Sequence, residues 1–145
     1  LYDGANIWVT FGGSPGFLAK VDATGAILQT VTVGLGPRWP IFDGSNLWVP
    51  NRPASSVSVV RASSAVVLAT LTGNGLSGNS GSAAFDGQRI LVANRDVNTV
   101  SLWKAADLTP LGAFSTGAGT LPWTACSDGV NFWIVLNGTN QLARF

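Results

Sequence analysis

Phe42-Asp43-Gly44-Ser45-Asn46-Leu47-Trp48-Val49 is the stretch on which the fold turns, because the chain writes it four times. Its counterparts are Tyr2-Asp3-Gly4-Ala5-Asn6-Ile7-Trp8-Val9, Phe85-Asp86-Gly87-Gln88-Arg89-Ile90-Leu91-Val92 and Ser127-Asp128-Gly129-Val130-Asn131-Phe132-Trp133-Ile134. The repeated aspartates, Asp3, Asp43, Asp86 and Asp128, stand 40, 43 and 42 residues apart. In each copy a turn pair, Asp-Gly, precedes an apolar run too short for a helix, so the unit begins as a hairpin.

Working outward, the remainder of the unit repeats as well. The runs after the turns are Asn6 to Phe11, Asn46 to Pro50, Gln88 to Ala93 and Asn131 to Leu136. Second runs follow at Phe17 to Val21, Val57 to Arg61, Val100 to Lys104 and Leu142 to the end. Third runs share Leu28, Leu68 and Leu111 at one position. A Gly-rich connection then leads to a strand ending in the next Asp, at Arg38 to Phe42, Gly81 to Phe85 and Pro122 to Cys126. Four short strands in a period of ~41 residues are the pattern of β-propeller blades. Runs such as Ile7-Trp8-Val9 are apolar on both faces, which a blade sandwiched between neighbours requires. The expected architecture is all-β, about three and a half four-stranded blades in one partial propeller, with repeats at 1–36, 37–79, 80–121 and 122–145. By phase, the first repeat lacks its innermost strand and the last its outermost.

Composition agrees with that reading. The 145 residues hold 18 Gly, 7 Pro and 6 Trp, and only 10% are charged, so a core can form and disorder is excluded. Scarce helix formers beside abundant Val, Thr, Ile and Trp favour strands. A net charge of +1 with scattered basic residues gives no reason to expect nucleic acid. No apolar run reaches the ~18 residues of a membrane span, so no membrane insertion is expected. Cys126 is the single cysteine and excludes an internal disulfide.

The motif Asp-Gly-x-Asn-[Ile/Leu]-Trp-Val, followed by Asn51 and Asn94 and strands of the Val57-Ser58-Val59-Val60 type, resembles bacterial YVTN-type and NHL-like β-propellers. The resemblance implies a surface, periplasmic or secreted location and a complete ring of about twice this length. Streptogramin B lyase is similar in build. An activity of that kind is expected to need a His and acidic residues around a metal, and this chain has neither His nor Glu.

The aspartates of the turns are explained by turn chemistry: Asp accepts backbone N–H groups and Gly supplies positive φ. A cation held by the four aspartates is the rival reading. Trp8, Trp48 and Trp133 share one position, where the third repeat has Leu91, and read as packing between blades. Trp103 reads as a packing or blade-surface residue. The candidate ligand-binding residues lie elsewhere. Trp39 and Trp123 stand where innermost strands begin, after prolines, and Arg38 occupies the slot of Trp123. The loop after the first run carries Asn51-Arg52 in one repeat and Asn94-Arg95-Asp96 in the next. Both sets reach the mouth of a propeller's central funnel, where Arg, Trp and Asn can stack on a ring and donate to hydroxyl, carboxylate or carbonyl groups.

The absence of His removes the common general base, and no carboxylate pair is in view for acid–base work, so no catalytic residue, metal or cofactor is expected. The leading expectation is a non-enzymatic binding or structural module that recognises a protein, carbohydrate or small ligand at the funnel. The alternatives are part of a lyase- or lactonase-like enzyme with its catalytic residues elsewhere, and a lectin-like propeller. A second copy, or further polypeptide, is expected to complete the ring.

Overall fold

The computed structural model describes all 145 residues and is built almost wholly of antiparallel strands. They form four sheets in chain order. The first holds β1 (Ile7–Phe11), β2 (Gly16–Val21) and β3 (Ile27–Val33). The second holds β4 (Ile41–Phe42), β5 (Asn46–Asn51), β6 (Ser56–Arg61) and β7 (Val66–Thr72). The third holds β8 (Ser80–Phe85), β9 (Arg89–Asn94), β10 (Thr99–Lys104) and β11 (Pro110–Ser115). The last holds β12 (Pro122–Ser127), β13 (Phe132–Leu136) and β14 (Gln141–Arg144). Within each sheet the strands are neighbours in sequence, joined by hairpins. Ahead of the first sheet, Tyr2 makes a single bridge to Ile7, the trace of an innermost strand.

Three apolar layers hold consecutive sheets face to face. Trp8, Leu18, Val31 and Val33 of the first sheet pack on Leu47, Val49 and Val60 of the second. Trp48, Val57 and Val59 then pack on Ala83, Ile90, Val92 and Trp103 of the third. Ala84, Leu91, Val100 and Leu102 meet Phe132, Ile134 and Leu136 of the fourth. Alternation along one strand therefore serves two different cores: in β5, Leu47 and Val49 face backwards and Trp48 forwards. A slip of one residue would exchange those faces. Each fully buried large side chain contributes roughly 1.5–3 kcal/mol of transfer free energy.

Burial on both faces is complete only in the middle of the chain. From Leu47 to Asn51 and from Ile90 to Asn94 every residue is buried. The outer sheets are covered on one side. Ile7, Val9, Phe11 and Phe17 are exposed at one end of the stack, and Val135 and Leu142 at the other, with Trp133 half-buried. The apolar run Ile7-Trp8-Val9, expected to be covered on both faces, is thus covered only on the Trp8 face in this chain.

The innermost strand of the second sheet also differs from expectation. It should run from Arg38 to Phe42, but the ladder covers only Ile41 and Phe42. Pro37 and Pro40 lack N–H groups and interrupt it. Trp39 instead bridges, in parallel sense, to Ser82 on the innermost strand of the next sheet. The loop expected after Asn94 is a single 3₁₀ turn, Arg95–Val97, closed by Asn98 at φ 53°.

Candidate functional site

The two ends of the innermost strands carry different chemistry. At their C-terminal ends lie the Asp-Gly turns. Asp43 Oδ1 accepts the N–H of Ser45 at 2.9 Å and of Asn46 at 2.7 Å, while Gly44 takes φ 96°. Its Oδ2 accepts the indole N–H of Trp48 at 2.7 Å. The first and fourth copies repeat this, with Trp8 Nε1 donating to Asp3 at 2.6 Å and Trp133 Nε1 to Asp128 at 2.8 Å. The N–H of the repeated tryptophan ties down the turn in all three copies, and the rings of Trp8 and Trp48 also fill the layers between sheets, whereas Trp133 is only half-buried.

Leu91 in the third copy is accordingly no free replacement. Arg89, where the other copies have asparagine, donates its Nε–H to Asp86 Oδ2 at 2.7 Å and restores the missing donor. Its guanidinium lies 5.3 Å from the ring centre of Phe132 in the next sheet. The carboxyls respond to these donors. Burial alone would raise Asp3 and Asp86, but hydrogen bonds outweigh it and hold both below 3.8. For Asp3 the donors are the Trp8 indole and the turn N–H groups; for Asp86 they are the N–H groups of Arg89 and Gln88 and the guanidinium. Asp128 is depressed further, first by the N–H of Asn131 and then by the Trp133 indole.

At the other end of the strands a cavity of about 170 Å³ is lined by Arg38, Trp39, Arg52, Asn79, Gly81, Arg95 and Trp123. Five of the eight ligand-binding candidates thus converge here. Trp39 meets Trp123 edge to face, with ring centres 6.1 Å apart. The guanidiniums of Arg52 and Arg95 stand 5.8 and 5.2 Å from the Trp123 ring centre. Such stacking fixes the plane of a guanidinium while leaving its edge donors free. Arg95 Nε is buried without an acceptor.

Asn51, Asn94 and Asp96 stand apart from that lining. Asn51 and Asn94 are fully buried. Asn51 Nδ2 donates to Ser56 and Ser58, and Asn94 Nδ2 to Thr99 and Ser101. Asn94 Oδ1 accepts the hydroxyl of Ser80 at 2.6 Å. Pro37 holds the corresponding position in the preceding repeat, and there Asn51 Oδ1 is left without a donor. The asparagines thus sit behind the mouth, closing blades. Asp96 is exposed and accepts from Asn79 Nδ2 at 2.8 Å and Arg95 at 3.3 Å. Asn79 and Gly81 have no motif to mark them: Asn79 lies in the Gly-rich connection, which reads from sequence as a spacer, and Gly81 at the start of the innermost strand brings no side chain to the mouth.

A larger cavity, about 640 Å³, opens at the Asp-turn end between the second and third sheets. It contains Arg61, Arg89 and Lys104, yet Arg89 is paired with Asp86, Lys104 with Asp107 at 3.4 Å, and Asp43 stands in the wall. Its charge is largely compensated, whereas at the mouth Arg38 and Arg52 have no carboxylate partner within ion-pair distance. No three acidic or thiol side chains gather anywhere as a metal cluster.

The chain has the fold of a β-propeller segment, shared with solved structures of varied activity. It superposes on Kuenenia stuttgartiensis hydrazine synthase with a TM-score of 0.82 at 18% identity, covering 99% of this chain and 43% of that one. Against virginiamycin B lyase from Staphylococcus aureus the TM-score is 0.77 at 11% identity, covering 97% and 51%. Against the WD40 β-propeller domain of Doa1 it is 0.76 at 13% identity, covering 99% and 47%. No protein-family model and no curated sequence matches the chain. The chain spans about half the length of these structures, and at such identities the likeness is one of fold.

Proposed function

We propose that this chain is part of a non-catalytic binding propeller, extracellular or surface-exposed, whose mouth holds an anionic group of its ligand or partner. The observation that carries the reading is the company of Arg38, Arg52 and Arg95 around one small cavity with no acidic residue in its lining. Arg95 meets only the exposed Asp96, at 3.3 Å, and Arg38 and Arg52 have no carboxylate partner. Three guanidiniums set against one surface carboxylate favour an anion in the space between them, and forked N–H donors suit a carboxylate. A non-catalytic role accords with the same inventory: arginines and indoles bind and orient, but none of them exchanges a proton near neutral pH.

Titration of indole fluorescence with citrate tests this. Saturable binding is expected, weakened at least tenfold in an Arg52→Ala/Arg95→Ala variant and weakened by salt. An unchanged titration in that variant, or a response that chloride reproduces at equal ionic strength, would overturn the reading.

Further polypeptide, identical or not, completes the ring. Support comes from the chain's length, about half that of the superposed propellers, and from the apolar outer faces of the end sheets. Exposed contiguous apolar faces and open edges favour association. Sedimentation equilibrium of the 145-residue chain is expected to show self-association; a stable 15.0 kDa monomer at high concentration would count against completion by a second copy.

A further inference from the structure

The anion cavity does not stand alone. Arg38 and Trp39 also form one wall of an adjoining groove of about 340 Å³, whose other lining residues are Thr10, Gly12, Gly13, Leu35, Gly36 and Pro37. Apart from Arg38 that groove is uncharged. A ligand lying across the Arg38-Trp39 ridge meets three guanidiniums on one side and a neutral trough on the other.

The dimensions limit what can lie there. A volume of about 170 Å³ equals some five or six water molecules at ~30 Å³ each, enough for a carboxylate and the carbon that bears it. It is below the ~300 Å³ at which pockets for whole drug-sized ligands begin. The bulk of the ligand therefore belongs in the neutral groove.

The two indoles are not equivalent. Trp123 is half-buried and already carries the guanidiniums of Arg52 and Arg95. Trp39 is 52% exposed, turned 69° from Trp123, and borders both spaces. It is the free platform. A flat indole next to a cation cluster suits a ring whose C–H face can stack and whose edge bears a carboxylate. Around that ring the Thr10 hydroxyl and the bare backbone of Gly12 and Gly13 can exchange hydrogen bonds with hydroxyl groups.

An extended acidic peptide is less well served. Peptides added to a sheet edge need a row of free backbone groups. Here Pro37 has no N–H, the Gly36 N–H is engaged by Gly13, and the Arg38 N–H by Pro50. Resting on the binding role proposed above, we infer that the ligand is an acidic saccharide: a uronate whose carboxylate enters the arginine cavity while a sugar ring stacks on Trp39.

Calorimetric titration of the 145-residue chain with trigalacturonate, triguluronate and triglucuronate tests the inference. Carboxyl-reduced trigalacturonate, triglutamate and citrate serve as comparisons, and Trp39→Ala as the variant. At least one uronate trimer should bind ten or more times as tightly as triglutamate, and the reduced trimer should not bind measurably. Trp39→Ala should lose about tenfold for that uronate, several times more than it loses for citrate, with the unfolding midpoint near wild type. Equal binding of triglutamate, indifference of the uronate to Trp39→Ala, or failure of all three uronates with citrate still bound would each overturn the saccharide assignment and leave the anion site standing. Failure of citrate as well would overturn both.

Discussion

The two ends of the innermost strands teach opposite lessons. At the Asp-turn end the four copies are nearly identical and chemically saturated: each carboxylate has two backbone donors and one side-chain donor at 2.6–2.9 Å. At the mouth the copies diverge. Pro37-Arg38-Trp39, Ser80-Gly81-Ser82 and Pro122-Trp123-Thr124 occupy comparable places, and the polar groups left over are cations. Repetition inside one chain marks what every blade needs in order to fold. Departure from the repeat marks where the blades have been given separate tasks.

The largest effect should come from breaking a saturated turn. Asp43→Ala leaves the Trp48 indole N–H without its acceptor at a fully buried position and frees two turn N–H groups. A loss of about 2–4 kcal/mol is expected in urea unfolding, within the range for removing a charged partner from buried donors. A loss under ~0.5 kcal/mol would mean that the turns are held by glycine geometry alone.

The exchange in the third copy sharpens the same point. Asn with Trp in three repeats, and Arg89 with Leu91 in one, are two solutions to supplying Asp86 or its equivalents with a side-chain donor. Arg89→Asn should destabilise by about 1–3 kcal/mol, because the Asp86 carboxylate is only 5% exposed and would lose its charged partner. Leu91→Trp alone should also cost stability by crowding the layer against Phe132 and Ile134. Combined, the two changes should cost less than their sum, with a coupling of about 1–2 kcal/mol. Strict additivity would show that indole and guanidinium are not interchangeable donors at this turn.

Much of this was legible in the residues, and the reasons are physical. The Asp-Gly turns and apolar runs locate the strands because each copy must present the same two faces to the same kinds of neighbour. The fate of the Asn-Arg pairs was harder to see. At the end of an extended strand successive side chains point to opposite sides, so Asn51 and Asn94 turn inward to serines and threonine while Arg52 and Arg95 reach the mouth. Taking each pair as one binding unit hides that division. Leu91 looks like a tolerated substitution until Arg89, two residues earlier, is read with it. Asn79 joins the lining through the path of a glycine-rich connection, which has no periodicity to betray it. Arg38, Trp39 and Trp123 were readable because strand starts and first loops share one end of a propeller.

Acid should act through the hydrogen-bonded turn carboxylates, and more gently. The folded-state pKa values of Asp3, Asp86 and Asp128 lie below 3.8, so these groups stabilise the fold above the unfolded value near ~4 and lose that contribution as pH falls through the folded values. The chain has no His, the side chain whose ordinary pKa falls between about pH 5 and pH 7. Thermal midpoints should be flat across that interval and fall below about pH 4. Arg89→Asn should show a shallower acid decline than wild type, since Asp86 would enter the range with a less depressed pKa. A decline beginning above pH 5 would require a titrating group other than these turns.

The smallest effect should come from the mouth, and its smallness is the test. Arg52→Ala removes a guanidinium from the Trp123 ring, a contact worth about 0.5–1 kcal/mol at partly exposed sites. It also removes one of three like charges, and unit charges ~10 Å apart repel by about 0.4 kcal/mol in water and ~1.7 kcal/mol near a protein surface. The two terms oppose, so the unfolding free energy should stay within about 0.5 kcal/mol of wild type. Salt supplies the discriminating measurement: screening relieves repulsion among three cations more than among two, so added salt should raise the wild-type midpoint more than that of Arg52→Ala. If Arg52→Ala instead cost as much as Arg89→Asn, with no difference in salt response, both ends of the strands would be structural. The contrast between a repeated scaffold and a singular binding mouth would then fail.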